Sequence, residues 1–406
     1  MTFFEELKDD SISGVAYKNI NLKKAFISYF ANTGSCTIAD LSKEFNLSAP
    51  KVTNLVNDLI SEGLVKDYGK VGSTGGRRPN IYGLVPESGF FLGVDVKQNH
   101  INIGMINLQK KLVRVIERLP YKLHNNPESL KELCKLIKNF IKESAVPKDK
   151  ILGLGLNLSG RINYSTGYSY SFFHFNEEPL SKTMESELGL KTFLENDSRA
   201  MAYGEFNSGV VSGEKNVIFL NLDYGLGMGI MINGQLYYGK SGFAGEFGHI
   251  PIFNNEIICH CGKKGCLETE ASGWALARLF KEKVNQGSST VLTSSNILTD
   301  DLQLEDIIQA AKNDDVLAID LIARIGEKLG RGIALLINIF NPELVILGGS
   351  LSTTGEYIRL PIKSAINKYS LSLVNSDTQL KVSKLGEKAG VTGACLLVRN
   401  RLLDLS

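Results

Sequence analysis

Gly248-His249, followed by Cys259-His-Cys261-Gly-Lys-Lys-Gly-Cys266-Leu-Glu268, is the stretch on which the reading of this chain turns. A Cys-x-Cys-Gly-x-x-Gly-Cys loop is compact enough for three thiolates to converge. One imidazole added to them makes the donor set of a tetrahedral zinc site. Four protein ligands leave no open coordination position, so the ion is expected to be structural. The spacing leaves two histidines available, His249 and His260. The bland alternative is three free thiols on a turn. The remaining cysteines, Cys36, Cys134 and Cys395, are isolated in contexts that read as helical. That distribution fits one metal site and three structural thiols in a reducing compartment, not a disulfide framework.

The totals set wide bounds. At 406 residues the chain has room for two or three domains. With 43% hydrophobic and 22% charged residues it reads as an ordinary soluble globular protein. A net charge of +2 means that any contact with nucleic acid must come from local placement of charge. No apolar run approaches the roughly 18 residues of a spanning helix. The early acids near Met1 argue against a signal peptide. The expected location is therefore cytoplasmic, with no membrane contact.

Ahead of the metal loop, the first eighty-odd residues read as a small helical unit. Leu22, Ala25, Phe26, Tyr29 and Phe30 recur at helical spacing, with Gly34 as a C-cap. A second helix follows from Thr37 as N-cap, carrying Ile38, Leu41 and Phe45. After the turn at Asn46-Leu-Ser48, Ser48 is expected to cap a third helix with Pro50 in its first turn. Val52, Leu55, Val56, Leu59 and Ile60 face inward on it. This order matches a helix-turn-helix. Two strand-like runs, Leu64–Val71 and Asn80–Val85, flank the glycine-rich loop Gly72–Pro79 and supply a wing. The expected DNA contacts are Ser48, Ala49, Lys51, Thr53 and Asn54 at the start of the third helix, toward base edges. Arg77 and Arg78 of the wing would meet phosphates or the minor groove. A helical dimerisation module with a solvated basic loop is the plainer alternative.

Beyond Pro86 strands and helices alternate. Phe90–Val96 and Ile101–Asn107 read as paired strands, Ser129–Lys142 as an amphipathic helix, and Ile151–Leu158 as a buried strand. Val217–Leu222 and Leu344–Gly349 are later strands, giving an α/β body of two lobes.

With Glu195-Asn-Asp-Ser-Arg-Ala, Gly245-Glu-Phe-Gly-His and Asn341-Pro-Glu-Leu-Val-Ile-Leu-Gly-Gly, the metal loop resembles the signature of the ROK family of sugar kinases and sugar-responsive repressors. The winged helix is similar to the repressor branch. The resemblance implies a two-lobed, actin-like sugar-kinase fold with a structural zinc site, following an N-terminal winged helix-turn-helix. It places the ligands at His249, Cys259, Cys261 and Cys266, with zinc fixing one wall of a sugar pocket. It implies an arm over 1–18, the winged helix over 19–85, a first lobe over 86–200 and a second over 201–406. The C-terminal helix of the second would pack back on the first.

The sugar-binding residues so implied are Ser159, Gly160, Asn196, Asp197, Glu246, His249 and Glu268. Carboxylates beside an amide can grip vicinal hydroxyls, which donate and accept. Asp197 matches the residue that serves ROK kinases as the base removing the sugar hydroxyl proton. It is read here as vestigial, because both phosphate loops depart from the kinase pattern. Where kinases carry Asp-x-Gly-Gly-Thr this chain has Asp95-Val-Lys-Gln-Asn. Where they carry Gly-Thr-Gly-x-Gly-Gly-Gly it has Asp223-Tyr-Gly-Leu-Gly-Met-Gly229. Side chains then stand where backbone amides must approach phosphate, and a carboxylate is set beside it. The expected protein is a non-enzymatic repressor, a homodimer or homotetramer. It binds double-stranded operator DNA under control of a monosaccharide or sugar derivative held between the lobes. A kinase carrying a DNA-binding domain, or a repressor controlled by a protein partner, are the alternatives.

Overall fold

The computed structural model describes residues 3–6, 13–70, 79–175, 177–292 and 302–403. The first helix of the winged helix, α1, spans Gly14–Thr33 and ends on Gly34 in a positive-φ conformation. It begins well before Leu22, so residues 14–18 of the expected arm are helical. The arm is also anchored further out. Phe3 is fully buried, and its backbone N–H donates to Glu62 Oε2 at 2.8 Å. The second helix, α2, is Ile38–Glu44. Thr37 caps it in a reciprocal capping box with Asp40. The third, α3, is Ala49–Ser61, with Val52, Leu55, Val56 and Leu59 buried. Three strands complete the unit: β1 (Cys36–Thr37), β2 (Val65–Lys70) and β3 (Asn80–Leu84), in the order β1-β3-β2. Cys36 thus lies in a strand, paired with Tyr82, and not in a helix. Its short segment had no periodicity from which a strand could be read.

The chain divides into two compact units, Met1–Asn196 with Val391–Ser406, and Asp197–Gly390. The division falls between Asn196 and Asp197 instead of after Ala200, and the last residues belong with the first unit. That unit carries, besides the winged helix, a sheet of β4 (Phe90–Val96), β5 (His100–Asn107), β6 (Leu112–Pro120), β7 (Ile151–Leu158) and β8 (Thr192–Asn196). Its order is β8-β7-β4-β5-β6. β8, β7 and β4 run parallel, and β5 and β6 are antiparallel. The parallel strand β7 is buried along its whole length, as its unbroken apolar content requires. The helix Pro127–Glu143 buries Leu130, Leu133, Ile137 and Phe140. The C-terminal helix Lys388–Leu403 crosses the sheet closely. A Cβ at Gly93 would lie 2.5 Å from the Val391 carbonyl, and one at Gly155 2.5 Å from the Ala394 carbonyl.

The second unit repeats the plan. β9 (Val217–Leu222), β10 (Leu226–Ile232), β11 (Gln235–Leu236), β12 (Leu344–Gly348) and β13 (Gln379–Val382) are ordered β11-β10-β9-β12-β13. β9 pairs antiparallel with β10 and parallel with β12. The helix Asp197–Ser208 lies on β10 where Gly227 and Gly229 leave room. Added Cβ atoms there would sit 2.0 Å from Ser198 Oγ and 2.4 Å from Ala202 Cβ. The long helix Val316–Phe340 fills the apolar core with Leu321, Ile325, Leu329 and Ile333. No described helix is long and apolar enough to cross a membrane.

Candidate functional site

The helix α3 presents its polar side outward. Ser48, Ala49, Lys51, Thr53 and Asn54 are all exposed, opposite the buried Val52–Leu59 stripe. Ser48 takes the N-cap position in extended backbone, but its side chain makes no capping bond. Thr53 Oγ1 instead donates to the Ala49 carbonyl at 2.8 Å. Asn57 is exposed on the same helix, one turn on from Thr53, and was not singled out from the sequence. The strands β2 and β3 that lead into and out of the wing are present. Arg77 and Arg78 lie outside the described residues.

The metal loop folds as its spacing suggests. One ligand atom from each of His249, Cys259, Cys261 and Cys266 lies within 4.8 Å of all the others. Cys259 Sγ is 3.5 Å from His249 Nδ1, and Cys261 Sγ is 3.6 Å from Cys266 Sγ. A tetrahedral ion with arms of about 2.3 Å to sulfur and about 2.0 Å to nitrogen has edges of roughly 3.5–3.8 Å, so the donor set fits zinc. His260 is not part of the group; its ring packs on Trp274 at 4.8 Å. The other nitrogen of His249, Nε2, stands 3.8 Å from Glu246 Oε2, beyond hydrogen-bond distance.

Short backbone bonds hold the loop. Ile252 and Phe253 N–H both donate to the Gly265 carbonyl, and Leu267 N–H donates to Ile250. Burial pushes the Cys259 thiol up to about 12 and raises Cys266. Burial acts in the same direction on Cys261, but the Lys263 N–H and the neighbouring sulfurs outweigh it and hold that thiol below its ordinary value. Cys36 and Cys134 are buried, free and raised by burial to about 11, which suits unreactive structural thiols.

The residues expected to bind sugar divide between the two units. In the first, Asn196 closes β8 beside the end of β7, and its Nδ2 donates to the Gly160 carbonyl at 3.1 Å. Gly160 has φ +84°, and a Cβ there would fall 2.2 Å from Ser171 Oγ. Ser159 is half-buried next to it. In the second unit Asp197 begins its helix, where the amide dipoles favour a carboxylate. It is 8% exposed, and its Oδ1 accepts from Ser198 N–H at 2.7 Å. Ser198 Oγ in turn accepts from Asn221 Nδ2 at 3.1 Å, so the end of β9 supports this corner. Glu246 is exposed beside His249. Glu268 is turned toward the hairpin: its Oε2 accepts from Leu226 N–H at 2.9 Å, and its Oε1 is 3.8 Å from Cys259 Sγ. It therefore ties the metal loop to the β9–β10 turn.

The hairpin turns at residues 95–99 and 223–229 hold side chains of their own. Lys97 Nζ lies 3.2 Å from Asp95 Oδ2, and both side chains are largely buried. Asp223 Oδ2 accepts from Ser350 Oγ at 3.2 Å, and Oδ1 from Tyr224 N–H at 2.8 Å. The Tyr224 ring stands 52% exposed, so a bulky ring flanks that turn. The Asp223–Ser350 pairing was not foreseen, since the two residues are far apart in the chain.

This combination, a winged helix ahead of paired α/β lobes with a Cys3His loop, defines the class. A ROK family model matches residues 91–401, and a winged helix-turn-helix DNA-binding model matches residues 27–66. The chain belongs to the ROK family. The xylose repressor of Caldicellulosiruptor bescii is 33% identical over 370 residues, covering 90% of this chain and 92% of the repressor. A solved ROK-family transcriptional regulator, a homologue of the Escherichia coli Mlc protein, matches with a TM-score of 0.78. It is 27% identical and covers 96% of this chain and 97% of its own. A ROK glucokinase from Streptomyces griseus, solved with glucose and AMPPNP, matches with a TM-score of 0.64 and 28% identity. It covers 76% of this chain and 99% of its own.

Proposed function

We propose that this protein is a sugar-responsive DNA-binding repressor of carbohydrate-utilisation genes, acting in the cytoplasm as a homodimer or homotetramer. The observation that carries the reading is the winged helix with an exposed polar face on α3, joined to a ROK body, in a chain matched almost end to end by a xylose repressor. The exposed residues Ser48, Ala49, Lys51, Thr53 and Asn54 read base edges and phosphates of an operator half-site, with Arg77 and Arg78 in the wing. Two half-sites one helical turn or a multiple apart suit the protein's symmetry.

The effector is a monosaccharide, with D-xylose the first candidate from the named relative and D-glucose the second. Ser159, Gly160, Asn196, Asp197, Glu246, His249 and Glu268 form its binding set. Zinc held by His249 Nδ1, Cys259, Cys261 and Cys266 would act structurally, since four protein ligands leave no open position for chemistry. What this chain's residues do is bind and orient hydroxyls. The hairpin pairings Lys97–Asp95 and Ser350–Asp223 support a loss of phosphoryl transfer, because the turns hold side chains where a kinase needs bare amides.

For the sugar to release DNA it must bind the two states of the protein unequally. The test is selection of genomic fragments by the purified protein, then mobility shift at fixed salt with and without D-xylose and D-glucose. Release by one of the sugars is expected; unchanged binding with both would overturn the effector role. The glucokinase match supports a second reading, a kinase carrying a DNA-binding domain. ADP release on a sugar panel at ordinary kinase rates, lost in Asp197→Asn, would favour it.

A further inference from the structure

We infer that Arg401, on the C-terminal helix, is a positioning residue for effector binding: through Glu195 it fixes the backbone of Asn196. The inference rests on the effector reading above. Arg401 reaches the end of β8 with two separate donors. Its Nη1 donates to the Leu194 carbonyl at 2.9 Å, and its Nη2 to Glu195 Oε2 at 2.5 Å. The other carboxylate oxygen, Glu195 Oε1, accepts the backbone N–H of Asn196 at 2.9 Å. The guanidinium also lies over the rings of Tyr164 and Phe193, at 5.2 and 6.0 Å from their centroids.

The pair is well removed from water, with side-chain exposures of 17% for Arg401 and 3% for Glu195. A buried carboxylate that loses its cation must move or take up a proton. Here either response acts on the amide of Asn196, the last residue of β8. The planar fork of arginine suits a carbonyl and a carboxylate side by side, which a lysine ammonium cannot hold in the same geometry. The placement also has a topological side. The chain passes between its two compact units at two points, after Asn196 and at Val391. The second point lies on the helix that carries Arg401, and the first directly follows the residue whose N–H this pair holds.

The test compares wild type, Arg401→Met, Arg401→Lys and Glu195→Gln. It measures calorimetric binding of D-xylose and D-glucose, and sugar-free affinity for a selected operator. Arg401→Met is expected to weaken sugar binding by about tenfold or more, with Arg401→Lys recovering part of the loss, as for truncation of a buried charge pair. Sugar-free operator affinity should stay within about twofold, since a local role does not reach the winged helix. The double variant Glu195→Gln/Arg401→Met should bind sugar no more weakly than Arg401→Met alone. Sugar affinity within twofold of wild type, or an equal loss of sugar and operator binding, would overturn the positioning role. If Arg401→Met does not fold, the near-isosteric Glu195→Gln decides: weaker sugar binding supports the role, and unchanged binding overturns it. Failure of the wild type to bind either sugar removes the effector reading, and this inference with it. Binding by wild type with unchanged variants removes this inference alone.

Discussion

Replacing Cys266 by serine exchanges a fully buried sulfur for a hydroxyl at the centre of the metal loop. Cys266 Sγ lies 3.6 Å from Cys261 Sγ and 3.7 Å from the His249 carbonyl, and its backbone forms a bridge with Pro251. The substitution removes one donor from a set of four, and a buried hydroxyl offers no thiolate. If zinc is held at 100 to 1,000 times its dissociation constant in wild type, its loss removes about 2.7–4.1 kcal/mol of stability. At about 2–4 °C per kcal/mol for a unit of this size, the melting temperature should drop by roughly 5–16 °C. Calorimetric melting, with elemental analysis of zinc per chain, measures both quantities. Wild type should carry one zinc and lose the same increment on chelation; Cys266→Ser should carry none and be insensitive to chelator. A wild type purified without zinc, or a variant melting within 1–2 °C of it by the same scale, would refute the structural-zinc reasoning.

Further outcomes follow from other residues. Asp197→Asn should abolish the thermal shift produced by D-xylose while leaving operator affinity unchanged, read by melting and mobility shift in parallel. Lys51→Ala should weaken DNA binding almost uniformly across sequences and reduce the salt slope by about 1 if Lys51 meets a phosphate; Asn54→Ala should relax preference at one base position instead. Glu214 is held down to about 2 by its hydrogen bond to Lys381 and by the Ser212 N–H. Because its folded value lies below the ordinary 4.5, its stabilisation is present above that pH and is lost as pH falls toward 2. The melting difference between wild type and Glu214→Gln should therefore be full at pH 6–7 and shrink across that window. A difference constant down to pH 2 would contradict it.

Much of the molecule is written locally in the chain. Thr37 with Asp40, and Gly34 at the end of α1, are short-range signals: the second helix starts where Thr37 puts it, and α1 ends at Gly34 although it begins at Gly14, ahead of the spacing read from Leu22. The Cys-x-Cys-Gly-x-x-Gly-Cys loop is equally local, because its donors converge by backbone turns alone. Other features depend on contacts that no local pattern reports. His260 sits between two ligands in sequence, yet its ring is taken by Trp274. Gly227 and Gly229 read as remnants of a phosphate loop, but the close passage of the helix Asp197–Ser208 already requires them. Glu268 reads as a sugar acceptor, and its further tie to the Leu226 amide, 42 residues away, is not legible locally. The Arg401–Glu195 pair joins residues 206 positions apart, and nothing local in the segment of Arg401 points to it. Ser48 shows the opposite limit: it occupies the N-cap that its residue type suggests without making the bond.

Sugar and operator are proposed to bind one chain and to oppose each other, a coupling that must be reciprocal. Fluorescence anisotropy of a labelled operator, titrated with protein at constant salt in the absence and presence of saturating D-xylose or D-glucose, tests it most directly. One of the sugars should raise the operator dissociation constant by about 5–150-fold, the usual range of such coupling. An operator dissociation constant unchanged by both sugars, in a protein shown by calorimetry to bind one of them, would contradict it.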